Sequence, residues 1–384
     1  MIAEVAVSVL LVVTGGQVLA AFVRLIDTDP GFQADRVLAS VVLPAPERYP
    51  SPEKRAVFYR RMVEAVRGIP GVQSAGTVDA LPFSGENHGG PVSGGAIPFA
   101  QPLTAEIDIT GGDYLEAMGI RLLEGRWFRE EEMSAAGDAA IVSASLAGRL
   151  WPGKSGIGHH ICVFCTPEHP RNWKRVIGVV SGTRHAALEE PGDGNSVYLA
   201  AGAMQYASFL VLRTERPPTQ MGFAVRRAIA AIDPNQPVFL SATMRQLISD
   251  SVADRRFVML LLAITACLAL ALSAAGVYGV ISYTTSRRSQ EIGIRMAIGA
   301  TPGQIFGLIF RQGFWTVTAG VAIGLVAALV SVRYLRSEFT GLERASAGPV
   351  WVAAVIVTAT AAIACWMPAR RATRIDPVTA LREE

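Results

Sequence analysis

Residues 257–283 read FVMLLLAITACLALALSAAGVYGVISY, an apolar run without a charged side chain. At a rise of about 1.5 Å per residue, a helix of this length crosses a hydrocarbon core of about 30 Å. A buried core helix of a soluble protein usually runs shorter. Three more runs share this character: Val5 to Val23, Gly313 to Val332 and Gly348 to Met367. One run, a long polar insert and then three runs predict an α+β membrane protein. It has four transmembrane α-helices, with a large mixed α/β extracytoplasmic domain between the first and the second. The first run carries Glu4 at its edge, lacks a basic leader and has no clear small-residue cleavage site before Arg24. It therefore reads as an anchor and not as a cleaved signal.

The expected divisions are a first helix over 1–25, an extracytoplasmic domain over 26–254, and a segment over 255–384. The last holds three spans, a cytoplasmic element at 286–300 and a cytoplasmic tail at 368–384. Composition agrees, with 51% apolar and 17% charged residues. The net charge of +3 comes from scattered arginines, with no basic block to suggest nucleic acid. Arg287, Arg288 and Arg295 lie between the second and third spans, and Arg370, Arg371, Arg374 and Arg382 follow the fourth. Both sets fall on one side of the membrane, which the positive-inside rule makes cytoplasmic.

Within the insert, Ser51 and Pro52 open a helix whose Phe58, Met62 and Val66 recur at helical spacing until Gly68-Ile69-Pro70-Gly71 stops it. Strands are expected at Val72 to Val78, Ala105 to Ile109, Ala139 to Ser143, Arg175 to Val180 and Phe209 to Arg213. Further helices are expected at Gly112 to Met118 and Gln220 to Ile232. The Gly- and Pro-rich stretch from Pro82 to Pro102 reads as an irregular loop.

Gly148-Arg149-Leu150-Trp151-Pro152-Gly153-Lys154-Ser155 matches the Walker A pattern letter for letter. A phosphate loop needs a strand directly before it and a helix directly after it. Here Ser143 to Leu150 looks helical and Gly156-Ile157-Gly158 is a poor helix start, so no nucleotide site is assigned. Cys162 and Cys165, near His159, His160 and His169, could hold zinc. Outside the membrane the same pair more readily forms a local disulfide or stays as surface thiols. No metal site and no catalytic grouping is assigned; His88 and His185 read as loop histidines.

Thr285 to Ala300 reads TSRRSQEIGIRMAIGA. As a short helix it sets Arg288, Glu291 and Arg295 on one face, with Ile292, Met296 and Gly299 as an adjacent apolar stripe. Thr301-Pro302-Gly303-Gln304 then supplies an N-cap, a first-turn proline and a capping-box glutamine for the third span. Ordered caps beside an apolar stripe suit docking against a partner. In the third span, Gly320, Gly324 and Ala328 form a small-residue row suited to close helix packing.

The segment Ser286 to Ala300 resembles the signature of permease subunits of the MacB/FtsX class of ABC transporters. Pro368-Ala369-Arg370-Arg371-Ala372, Asp376-Pro377 and Ala380-Leu381-Arg382 are similar to that family's C-terminus. Asp29-Pro30-Gly31-Phe32, Tyr114 to Ile120, Leu123 to Arg126, Trp151-Pro152-Gly153 and Val176 to Val180 resemble its extracytoplasmic core domain. The chain is most similar to one half of the tandem-duplicated acidobacterial permeases.

The resemblance implies an FtsX-like permease domain over 255–384 and a non-catalytic subunit of the bacterial inner membrane with its large domain in the periplasm. A separate cytoplasmic ABC ATPase would hold ATP and Mg, leaving no cofactor in this chain. Arg287, Arg288, Glu291, Ile292, Arg295, Met296 and Gly299 would form the ATPase-coupling surface. Further partners implied are a second permease copy as homodimer or pseudo-dimer, membrane lipids, and a periplasmic adaptor or outer-membrane protein. The expected activity is export driven by movement of the periplasmic domain. The alternative is FtsX-like signalling to a cell-wall hydrolase or sensor, without transport.

Overall fold

The structure is a computed structural model. It describes residues 2–26, 29–134, 137–165, 172–185, 194–201, 209–288, 291, 292, 294, 295, 298, 300–338 and 348–372. The chain forms two compact units, one of residues 28–253 and one of residues 1–27 with 254–384.

In the first unit the order is β1 (Val37–Val42), α2 (Pro52–Arg67), β2 (Val72–Val78), β3 (Gly89–Ser93), β4 (Leu103–Gly112), α3 (Tyr114–Met118) and β5 (Leu122–Gly125). Then come α4 (Glu130–Ser134), β6 (Ala139–Ser143), α5 (Ala144–Leu150), β7 (His160–Val163), β8 (Trp173–Val180), β9 (Ser196–Ala200), β10 (Phe209–Thr214), α6 (Gly222–Ile232), β11 (Val238–Thr243) and α7 (Met244–Ser251). The first helix of the chain, α1, belongs to the other unit.

Strands β11, β1, β10 and β2 lie side by side in that order, all antiparallel. Helix α2 joins β1 to β2 and α6 joins β10 to β11, so this layer is a split βαβ motif of ferredoxin-like order. The physical cause is visible in α2. Ser51 Oγ accepts the Lys54 N–H at the N-cap, Pro52 fits the first turn, and Tyr59, Met62, Val63 and Val66 make one apolar stripe. That stripe packs with Leu38, Leu210, Leu212, Val225 and Ile229 into one core.

Everything from β3 to β9 is inserted into this motif. Strand β4 pairs β2 through Gly76↔Gly112 to Val78↔Thr110, and also pairs β3 and β9. The path β4–β3–β7–β8–β6–β9 returns to β4, so these strands close on themselves. A second core of Val92, Ile107, Val142, Ile161, Val163 and Val197 belongs to this ring and takes in Leu146, Leu150 and Trp151 from α5 and its end. Closure leaves the ring without the open edges that invite aggregation.

One expectation is corrected here. The stretch Pro82 to Pro102 contains strand β3. Pro91 is tolerated because β7 bonds only to Val92 and Ser93, beyond the position where the missing N–H would be needed.

The second unit consists of α1 (Ile2–Ile26), α8 (Ala253–Arg287), α9 (Pro302–Glu338) and α10 (Gly348–Ala372). Among the described residues, three apolar segments are long enough to cross a membrane: Ile2–Ala20, Arg256–Arg287 and Gly303–Ser331. The fourth run gives a shorter apolar segment, Trp351–Met367, within α10. The unit's core is a ridge of Val5, Val9 and Val13 joined by Val277, Ile281, Val317, Ala328 and Val357.

Candidate functional site

The segment after α8 returns toward α9 by local backbone bonds: Ile292 N–H donates to Arg288 C=O at 2.9 Å, and Ile298 N–H to Ile294 C=O at 3.0 Å. Gln304 Oε1 accepts the Thr301 N–H at 3.0 Å, the capping-box contact that starts α9. Arg295 and Glu291 form an ion pair at 2.7 Å. With Arg288, also exposed, they give this turn a charged outer face.

The apolar residues of the segment divide by helical phase. Ile292 is 6% exposed and packs with Ile281 and Ile305 inside the helical unit. This corrects its assignment to the outer surface, since a side chain this buried cannot meet a partner. Ile294 and Ile298, at 47% and 82% exposure, face outward instead. Met296 and Gly299 lie outside the described residues. The outward pair was readable from its own i, i+4 spacing, but sequence alone does not say which stripe faces in.

Gly320 and Gly324 meet α1 at close range. A Cβ on Gly320 would stand 2.8 Å from Val5 Cβ, and one on Gly324 would stand 2.7 Å from the Ala6 carbonyl oxygen. Ala328 is fully buried one turn further on. This is small-residue packing of the kind that lets membrane helices approach.

In the sheet unit, Cys162 at the end of β7 is disulfide-bonded to Cys165, with Cα atoms 5.7 Å apart. Both residues are buried, so they are not surface thiols. His159 stacks on Trp151 with ring centroids 5.3 Å apart, and His169 lies outside the described residues. Among the described residues no His, Cys, Asp and Glu cluster fit for a metal occurs. Residues 148–155 begin in the last turn of α5 and continue as a turn, without the strand, loop and helix order a phosphate cradle needs.

No local pattern marks the buried polar group at the seam between the two cores. Asp79, just past β2, accepts the Ile109 and Ala80 N–H groups at 2.7 and 3.0 Å and contacts His88 Nδ1 at 3.0 Å. Burial raises its carboxyl. Asp108 Oδ2 lies 3.4 Å from His185 Nε2, and the Thr183 hydroxyl contacts His185 Nε2 at 2.9 Å and Tyr198 at 2.7 Å. Burial pushes Asp108 well above the carboxylate range and lowers His185 to about 4, so both favour their neutral forms. His185 lies in the loop after β8, as expected, but it is buried there.

Two family models match the chain. The MacB-like periplasmic core domain matches residues 5–235, and the FtsX-like permease C-terminal domain matches residues 263–377. The chain belongs to the MacB/FtsX class of ABC transporter permeases. It is 24% identical over 294 residues to the macrolide export ATP-binding/permease protein MacB of Chromobacterium violaceum, covering 73% of this chain and 44% of that one. It is 25% identical over 298 residues to MacB of Escherichia coli (strain K12), with the same coverage. The chain thus spans less than half the length of these relatives. Among solved structures, the periplasmic region of MacB from Actinobacillus actinomycetemcomitans matches at 12% identity and a TM-score of 0.39, covering 59% of this chain and 97% of that one. The extracellular domain of the ABC-type transporter YknZ from Gram-positive bacteria matches at 13% identity and a TM-score of 0.34, covering 51% and 91%.

Proposed function

We propose that this chain is the membrane-spanning part of an exporter in which a cytoplasmic ABC ATPase, loaded with ATP and Mg, drives movement of the periplasmic domain. The observation that carries this reading is the succession of a MacB-like periplasmic core over 5–235 and an FtsX-like permease region over 263–377 in one chain. Four spans place the turn at 286–300 and the tail on the cytoplasmic side and residues 26–254 outside. The ATPase is a separate polypeptide, and the permease works as a homodimer or pseudo-dimer, which brings two copies of the 286–300 turn to two ATPase subunits. Periplasmic adaptor or outer-membrane proteins are its remaining partners.

In this mechanism the turn at 286–300 rests on the ATPase through Arg287, Arg288, Glu291 and Arg295, with Ile294 and Ile298 as apolar contacts. The exposure of those two isoleucines supports this, because an aqueous face gains nothing from them. Closure of the ATPase moves α8 and α9, which flank the turn. ATP binding biases a two-state element only through different contacts in its two states. Signalling to a periplasmic hydrolase without transport is the second reading. The FtsX-like region favours it, while the MacB-like core favours export.

The test is affinity purification of the intact chain and of an Arg288→Ala, Glu291→Ala, Arg295→Ala triple variant in mild detergent. Loss of a co-purifying ATPase from the variant alone supports the reading. An intact chain that recruits no ATPase overturns it.

A further inference from the structure

Within the sheet unit, a cleft of about 290 Å³ separates α2 from α4 and is bounded by the end of β4 at Gly111 and Gly112. An apolar cavity of about 150 Å³ already holds a benzene ring. The cleft therefore has room for one ring and a further group of similar bulk. Val63 of α2, Phe128 just before α4 and Met133 within it give the lining its apolar and aromatic surface.

The charged lining consists of Arg60, Glu64, Arg67, Asp113 and Glu130, two guanidinium groups against three carboxylates. Arg67 and Asp113 neutralise each other at 2.6 Å, and the Asp113 side chain makes no capping bond to α3, so its carboxyl is committed to that pair. Arg60 and Glu64 stand one turn apart on one face of α2, where opposite charges offset each other. Glu130 is left over. It forms no ion pair among the described residues, whereas Glu132 is held by both Arg126 side-chain nitrogens at 2.7 and 2.8 Å. That bidentate pair, with Glu132 also accepting the Arg129 N–H at 2.8 Å, fixes the segment that carries Phe128 and Glu130. The wall is thus formed before any ligand arrives.

We propose that this cleft binds a small organic cation, its apolar body against Phe128 and Met133 and its charge beside Glu130. An aromatic ring and a carboxylate are the two groups that attract such a cation, the ring through its negative face. An anion would meet a net negative lining, and a plain hydrocarbon would leave Glu130 without a counter-charge. The assignment concerns the sheet unit alone and is independent of any ATPase, so it can fail while the exporter reading stands, and the reverse.

Benzyltrimethylammonium, one ring with a fixed positive charge, is titrated calorimetrically into the full chain in a neutral detergent, with benzenesulfonate as the anion of matching size. The cation is expected to bind and benzenesulfonate to give no saturable heat. Glu130→Gln should weaken the cation about tenfold, and Glu130→Asp should restore part of that affinity. Phe128→Leu keeps an apolar side chain and should weaken it about threefold, the loss of a cation–π contact. Glu53→Gln removes the same charge from α2 outside the lining and should change nothing, which separates the site from general attraction and from uptake by the micelle. Should Phe128→Leu fail to fold, Glu130→Gln at its exposed position decides alone. Equal binding of the cation by Glu130→Gln and wild type, or binding of benzenesulfonate as tight as that of the cation, overturns the proposal.

Discussion

Val9 of α1 stands against Gly324 of α9 so closely that a Cβ on the glycine would come within 2.6 Å of the valine's own Cβ. Gly324→Leu therefore forces the two helices apart or the side chain off its rotamer. The expected loss is about 1–3 kcal/mol, read as a lowered Tm of the full chain in detergent. Gly279→Ala, where nothing lies within 4 Å, should be neutral or slightly stabilising. Equal effects at both positions would show that α1 and α9 do not pack through this row.

Ile292 and Ile298 lie six residues apart and should fail in different assays. Ile292→Ala removes a buried side chain and should cost about 2–4 kcal/mol of stability, with ATPase retention falling only as the fold is lost. Ile298→Ser should leave the Tm unchanged within about 0.5 kcal/mol and weaken retention of the ATPase. Thermal unfolding and co-purification, run side by side on both variants, separate the two roles.

His185 titrates at about 4 in the folded chain, below the ordinary histidine value of 6.5. The unfolded chain therefore binds more protons between those values, and this histidine lowers stability as pH falls from 6.5 toward 4. Asp108 acts in the opposite sense: its raised value penalises the fold as pH rises above the ordinary carboxylate range. The difference in Tm between His185→Gln and wild type should thus shift in favour of the variant on going from pH 7 to pH 5. A pH-independent difference would mean that folding leaves the His185 value unshifted, and a shift in favour of wild type would mean that His185 is charged in the folded state.

Asp79 ties the end of β2 to β4 through the Ile109 N–H. Asp79→Ala leaves that N–H without its acceptor and should cost about 1–3 kcal/mol in urea unfolding. Asp79→Asn keeps an acceptor oxygen and should recover part of the loss.

The four cysteines divide into the Cys162–Cys165 pair and the free Cys267 and Cys365. Thiol counting on denatured, unreduced chain should give two thiols, and four after reduction. So short a loop limits the disulfide's contribution to about 2 kcal/mol. Four thiols without reduction would remove the disulfide from the account.

Elements with a strong local cause were legible in the sequence. Ser51 and Pro52 mark the start of α2, and the β-branched runs at Val72 to Val78 and Ala139 to Ser143 become β2 and β6 with those bounds. Helix α7 was missed although its signal was present: Thr243 and Gln246 form a full capping box. Strand β3 was hidden by its composition, since Gly89, Gly90 and Pro91 read as loop and pair only because β4 lies alongside them. The small-residue row at Gly320 and Gly324 was legible, but its partner helix was not. The Asp108–His185 contact joins residues 77 positions apart in the chain, and no local pattern marks such a meeting.

Strand β4 is a member of both the split βαβ layer and the closed ring. The two cores are therefore continuous through hydrogen-bonded backbone, and parting them would require breaking the β2–β4 ladder from Gly76↔Gly112 to Val78↔Thr110.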